Sequence, residues 1–217
     1  AGTLLVQRGS PCGATPAGLR MIRHHEEVVL LERALSADMP WLTPRPATLR
    51  IAVNADSLAT WVIPALAAVE GFLFDLVIVD QDVSQDWLKR GEVQAAITAH
   101  PGPLQGCDTV PLGALRYRAT ASPAYVARWM PEGPTEAALM QAPALTFSDK
   151  DRLQELWVEG RIGKSKARAA VPTHHMASSQ AFVDASLAGL GWGMNPEALV
   201  AGHLAAGRLV DLSPDAP

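Results

Sequence analysis

The sequence predicts an α/β protein built as two lobes. Short apolar, strand-sized runs alternate with stretches of helical spacing from residue 49 onward, the pattern left by crossover units and a mainly parallel sheet. The alternation falls into two sets of similar length and content, which places one α/β lobe in each and a cleft between them. The 217 residues, 48% hydrophobic and 18% charged, suffice for one large domain or two small ones with a real core.

Residues 1–14 (AGTLLVQRGSPCGA) read as a short strand, a Gly/Pro/Ser turn and irregular chain. Thr15-Pro16 is a helix start, with Thr as N-cap and Pro in the first helical position. The helix runs to about residue 37. Met21, His24, Val28, Leu31 and Leu35 follow one another at spacings of three and four, a stripe about two heptads long that Ile22 and Val29 widen. Such a stripe needs a partner, either the rest of the same molecule or a second copy. Residues 38–48 hold three prolines and no periodicity, and read as a hinge.

Beyond it, strands are predicted at 49–53, 74–79 and 93–98, with helices at 58–70 and 84–90. In the second set 109–120 is extended, helices cover 123–130, 135–141, 152–159, 178–187 and 197–206, and strands fall at 144–147, 169–174, from 192 and at 208–212. Lobe I is assigned residues of about 49–118 and 207–217, and lobe II about 119–206.

Composition removes several classes. No apolar run approaches the roughly 18–20 residues that span a bilayer, and the first residues lack a basic region followed by a long apolar one, so neither membrane insertion nor a signal peptide is expected. Cytoplasmic residence follows. Cys12 and Cys107 stand in no CxxC pair and beside no spaced histidines, so neither a disulfide framework nor a metal site is predicted. The net charge of −4 is uneven: residues 1–36 carry four Arg and three Glu, whereas residues 37–217 carry 14 basic and 19 acidic groups. The larger part is a poor polyanion binder, and any nucleic-acid contact is expected at the N-terminal end.

The N-terminal segment LLVQRGSPCGATPAGLRMI resembles the end of a LysR-type winged helix-turn-helix, with Leu5, Arg8, Thr15 and Gly18 at the positions of its wing strand and Thr-x-x-Gly helix start. LRIAVNADSLATWVIPAL resembles the first strand and helix of that family's effector domain. NADSLATW, LKRGEVQAAIT and SSQAFV are similar to the subgroup that regulates lysine and arginine export, also known as inhibitors of chromosome-replication initiation. The resemblance implies a wing remnant (1–14), a dimerising linker helix (15–37), a hinge (38–48) and a periplasmic-binding-protein-like effector domain (49–217). The family's recognition helix precedes the wing, and its last strand and helix follow residue 217, so a segment trimmed at both ends is expected. The resemblance further implies a transcriptional regulator, not an enzyme, that works as a homodimer or homotetramer, binds DNA in its full-length form and takes a basic amino acid as effector without a cofactor. Arg8 and Thr15 would touch DNA phosphates, which position a protein without reading sequence.

Effector candidates sit where strands end. Asn54-Ala55-Asp56-Ser57 closes the first strand and opens a helix, whose free N–H groups favour an anion such as an amino-acid carboxylate. Ser57 and Thr60 add hydroxyls, although Asp56 or Ser57 equally suits a plain helix cap. A cationic effector needs acidic or carbonyl partners. Asp80 and Asp82 follow the second strand, Thr98 and His100 the third, and Ser148, Asp149 and Asp151 the first strand of the second set. Each alone reads as a cap or a solvated charge; together they favour a cation. Trp61 either covers a ligand or fills the core, and core is the preferred reading.

Other motifs carry less. Gly189-Leu-Gly191-Trp-Gly193 is half of a dinucleotide fingerprint in the wrong setting, after a helix and before a strand, so its glycines read as a helix end and a tight turn. His174-His175 with Asp184 and Ser178 has no spacing that demands a triad. His24-His25, about 100° apart on a helix, are no natural metal pair. The readings in competition are a ligand-sensing regulator, a stand-alone solute-binding protein of the same fold, and an enzyme on two α/β lobes, for which no motif speaks.

Overall fold

The computed structural model describes residues 3–39, 46–79, 84–99, 105–163 and 171–213. The chain divides into two compact units, Ala1–Asn54 with Pro64–Thr109, and Ala55–Ile63 with Val110–Pro217.

The first unit opens on an antiparallel hairpin, β1 (Val6–Gln7) and β2 (Gly13–Ala14), followed by the helix α1 (Pro16–Asp38). Thr15 caps the helix as its residue type dictates. Its hydroxyl accepts from the Gly18 N–H at 3.1 Å and donates to the Leu4 carbonyl at 2.6 Å, which ties helix to hairpin. A Cβ at Gly18 would collide with the Leu5 carbonyl oxygen, so the Thr-x-x-Gly start is a steric requirement of this junction. The stripe on α1 is covered only in its middle among the described residues: Val28 and Val29 are half-buried, whereas Met21 and Leu35 are exposed and Leu31 is 71% exposed. Further along, the Arg33 guanidinium lies 4.4 Å over the Phe72 ring.

β3 (Ala47–Val53) leads into a helical run made of α2 (Ala55–Ser57), a π-helical turn (Leu58–Val62) and α3 (Ile63–Ala67). Pro64 has no N–H and its ring crowds the carbonyl of Thr60, so the run widens by one residue per turn just before it. β4 (Phe72–Ile78), α4 (Ser84–Lys89) and β5 (Ala95–Ala96) complete a parallel sheet of order β4-β3-β5, in register from Ala47↔Phe72 to Val53↔Ile78.

The second unit continues with β6 (Tyr117–Ala121), α5 (Pro123–Trp129), α6 (Glu136–Gln141), β7 (Ala144–Thr146), α7 (Leu153–Ile162), β8 (Thr173–His175), α8 (Ser179–Leu187), β9 (Gly193–Pro196), α9 (Glu197–Ala205) and β10 (Val210–Asp211). Ser122, Thr135 and Ser178 cap α5, α6 and α8 with their hydroxyls. β6 runs between β9 and β10, antiparallel to both, while β7 and β8 pair in parallel. A parallel bridge from Ala144 to Trp192 joins the two ribbons. Trp192, fully buried, packs on Trp157 at 4.8 Å within a core of Met130, Leu139, Val158 and Tyr125. Asn195 is fully buried on β9; its amide donates to the Thr120 hydroxyl at 3.0 Å and the Ser186 hydroxyl at 3.2 Å. Arg118, on β6, holds Glu197 of α9 at 2.8 Å and Asp211 of β10 at 3.3 Å.

The structure corrects several expectations. The strands of the second unit form an antiparallel sheet of three and a parallel pair, because alternation of strand and helix fixes the order of elements and not the direction in which short strands pair. Residues 207–217 are expected in lobe I, yet Val210 and Asp211 pair with Ala121 and Thr120 of the second unit, and Ala55–Ile63 joins that unit from the other side of the sequence. The third strand, expected over 93–98, contracts to two residues, and the helix expected from 58 begins at Ala55. The hinge expected at 38–48 is shorter, since Asp38 ends α1 and Ala47 begins β3; residues 40–45 lie outside the described residues.

Candidate functional site

Asp56 lies in the first helical turn after β3, and within the second unit its carboxylate has two hydroxyl donors. The Tyr117 phenol donates to Oδ2 and the Ser179 hydroxyl to Oδ1, both at 2.6 Å. Tyr117 opens β6, and Ser179, 6% exposed, is the first residue of α8. Burial, then the hydrogen bond and charge of Asp56, then the charge of Asp151 push the Tyr117 phenol far above its ordinary range, so it stays a proton donor. Two carboxylates therefore act on one phenol. Among the described residues the donors to this carboxylate are neutral hydroxyls, a setting that welcomes a cation.

Asp151 also holds its own loop. Its carboxylate accepts from the Phe147 N–H at 2.9 Å and the Leu153 N–H at 3.0 Å, which fixes the turn from β7 into α7. Ser148 accepts from the Lys150 N–H through its hydroxyl at 3.3 Å and from the Asp151 N–H through its carbonyl at 3.0 Å. The Thr60 hydroxyl donates back to the Asp56 carbonyl at 2.7 Å, and Ser57 is buried. Asn54 follows β3 and Thr98 follows β5, both in the first unit. Asp80, Asp82 and His100 lie outside the described residues.

Asp149 is 96% exposed and pairs with His175 Nε2 at 3.1 Å on the surface. Trp61, read as core, is instead 37% exposed on the π-helical turn. The imagined triad does not assemble: Ser178 caps α8, and Asp184 accepts from Gln180 at 3.3 Å. Among the described residues no three His, Cys, Asp or Glu side chains gather to hold a metal ion, and no helix is long and apolar enough to cross a membrane. Gly189 ends α8 at φ 76°, and a Cβ at Gly193 would run into the Phe182 ring, so these glycines serve a helix end and close packing.

Sequence reasoning missed Tyr117 and Ser179. The doubled serine at the start of α8 carried a signal: one hydroxyl suffices for the cap at Ser178, which leaves the second for another task. Nothing in the pattern around Tyr117 distinguishes it from any strand tyrosine.

Residues 44–217 match the family model described as the LysR substrate binding domain. A LysG transcriptional regulator of Mycobacterium tuberculosis is 39% identical over 220 residues, which cover 100% of this chain and 72% of that protein. The chain belongs to the LysR family of transcriptional regulators. Solved members share its fold. ArgP from Mycobacterium tuberculosis aligns with a TM-score of 0.78 at 40% identity, covering 96% of this chain and 70% of that one. Full-length LysG from Corynebacterium glutamicum with bound effector Arg aligns with a TM-score of 0.70 at 32% identity, covering 97% and 71%. The regulator reading of the sequence is thus established over both solute-binding protein and enzyme, and the family supplies an effector-binding domain and no catalytic role.

Proposed function

We propose that this regulator senses a basic amino acid, lysine or arginine, with Asp56 as the anchor for its cationic group. The observation that carries the reading is the Asp56 carboxylate, engaged by the hydroxyls of Tyr117 and Ser179 and sharing the phenol's electrostatic field with Asp151. An ammonium or guanidinium replaces a neutral donor on such a carboxylate at a gain, since a charge-assisted hydrogen bond is stronger than a neutral one. The bound arginine of the Corynebacterium glutamicum relative supports the same ligand class. Ser57, Thr60 and Ser148, all in the second unit with Asp56, remain our candidates for the rest of the ligand.

In the full-length protein the β1–β2 hairpin would be the wing of the DNA-binding domain, α1 the dimerisation helix and residues 39–46 the hinge to the effector domain. Arg8, exposed beside the hairpin turn, suits a phosphate contact. The Thr15 hydroxyl gives its one proton to Leu4, so its part is to hold wing and helix together. The effector would bind one conformation more tightly and so shift promoter activity at amino-acid export genes, in the cytoplasm where the DNA lies.

Calorimetric titration tests the proposal. Lysine or arginine is expected to bind, and norleucine, which lacks the terminal cation, is not. Asp56→Asn should weaken binding about tenfold or more. Unchanged affinity in both Asp56→Asn and Asp151→Asn would remove these acids from the site.

A further inference from the structure

The second unit holds a cavity of about 680 Å3, lined by Pro123, Arg128, Trp129, Leu187, Gly189 and Arg208 among others. It lies between the start of α5, the end of α8 and the turn after α9. Its volume falls in the range of small-molecule sites, roughly 300–1,000 Å3. Two guanidinium groups line it. Among the described residues neither Arg128 nor Arg208 has an ion pair, whereas Arg118 and Arg152 of the same unit are held by carboxylates. Arg128 stands 5.0 Å from the Trp129 ring centre, so the cationic side of the cavity is backed by an aromatic one. Leu187 and Pro123 extend the apolar wall. Two like charges at one cavity raise each other's electrostatic cost, which an anion relieves.

We propose that this cavity is a second ligand site, for a small organic anion with an apolar body: a carboxylate or phosphate group between Arg128 and Arg208, and an aromatic or aliphatic part on Trp129, Leu187 and Pro123. It is separate from the acidic site in place and in charge. Tyr117 opens β6 and Ser122 follows its end, so the two are roughly 17 Å apart at the rise of a strand. One takes a cation, the other an anion.

Indole N–H resonances give the test, because the chain has six tryptophans and Trp129→Phe assigns the one in the cavity. Phenylacetate and phenyl phosphate are titrated against acetate and inorganic phosphate. A saturable shift of the Trp129 signal is expected with a phenyl probe, and an affinity at least about tenfold lower for the matching small anion. The phenyl probe that binds more tightly tells carboxylate from phosphate. In the Arg128→Gln/Arg208→Gln variant the shift should vanish while the remaining indole signals stay in place, since both arginines are exposed. No saturable shift with either phenyl probe, an unchanged shift in the variant, or equal affinity for the small anions would each overturn the proposal.

Discussion

The Tyr117 phenol donates a hydrogen bond to Asp56 at 2.6 Å, across 61 residues of chain. A hydrogen bond to a charged acceptor contributes about 1.5–3 kcal/mol. Tyr117→Phe should lower stability by about that amount in urea unfolding, and Ser179→Ala by a similar or smaller one. A loss below about 0.5 kcal/mol in both would mean that water substitutes freely for the two hydroxyls.

The alkaline limb of stability should be set by the two tyrosines, Tyr117 and Tyr125, which are the only two in the chain. Burial raises both phenols above the ordinary value of 10.0, and Asp56 adds to the effect at Tyr117. The folded chain thus holds these protons more tightly than the unfolded chain. Their contribution is complete below about pH 10 and falls as pH rises above it. Tyrosinate absorbance should appear together with loss of the far-ultraviolet circular dichroism signal, and Tyr117→Phe should flatten the decline. Phenolate formed at its ordinary pH in an intact fold would contradict this.

Gly18→Ala should loosen the hairpin from α1. Helix propensity alone would favour alanine by about 1 kcal/mol. The collision with the Leu5 carbonyl outweighs that preference, since overpacking costs about 1–3 kcal/mol. Faster amide exchange at Val6 and Gln7 is the expected sign, and slower exchange the contrary one.

Asn195→Leu should cost about 2–4 kcal/mol. It removes the donor to the buried Thr120 and Ser186 hydroxyls, of which Ser186 keeps its bond to the Phe182 carbonyl, and sets an apolar side chain of similar shape against both. Thermal unfolding measures it.

Leu31→Asp should weaken self-association. Leu31 is 71% exposed on a helix whose Met21 and Leu35 are exposed as well, and the charge would enter any interface formed there. Sedimentation equilibrium of the variant should show a lower dimer fraction; an unchanged distribution would take the stripe out of the interface.

Much of this fold was legible because it is local. The Thr15 cap, the Pro16 start, the β3–helix–β4 crossover and the glycine turn after α8 are all written within a few residues of where they act. Asp56 was legible for the same reason, as an acid in the first turn after a strand. Tyr117 and Ser179 were not, because a hydroxyl leaves no periodic trace and their meeting point is set by sheet and helix packing over 61 and 123 residues. Strand direction was lost likewise: β9 and β10 each lie beside β6 through tertiary pairing, which hydrophobic spacing does not encode.

The separation of 123 residues between Asp56 and Ser179 has a consequence in time. During synthesis the sheet of β3, β4 and β5 has all its strands once residue 96 has emerged. The second partner hydroxyl of Asp56, Ser179, arrives only with α8, and β10, which closes the second sheet against β6, comes later still. Contacts so distant along the chain form slowly, since the loop must close before any of them is rewarded. A chain still being made therefore lacks the Ser179–Asp56 bond, and only one complete through α8 can form it.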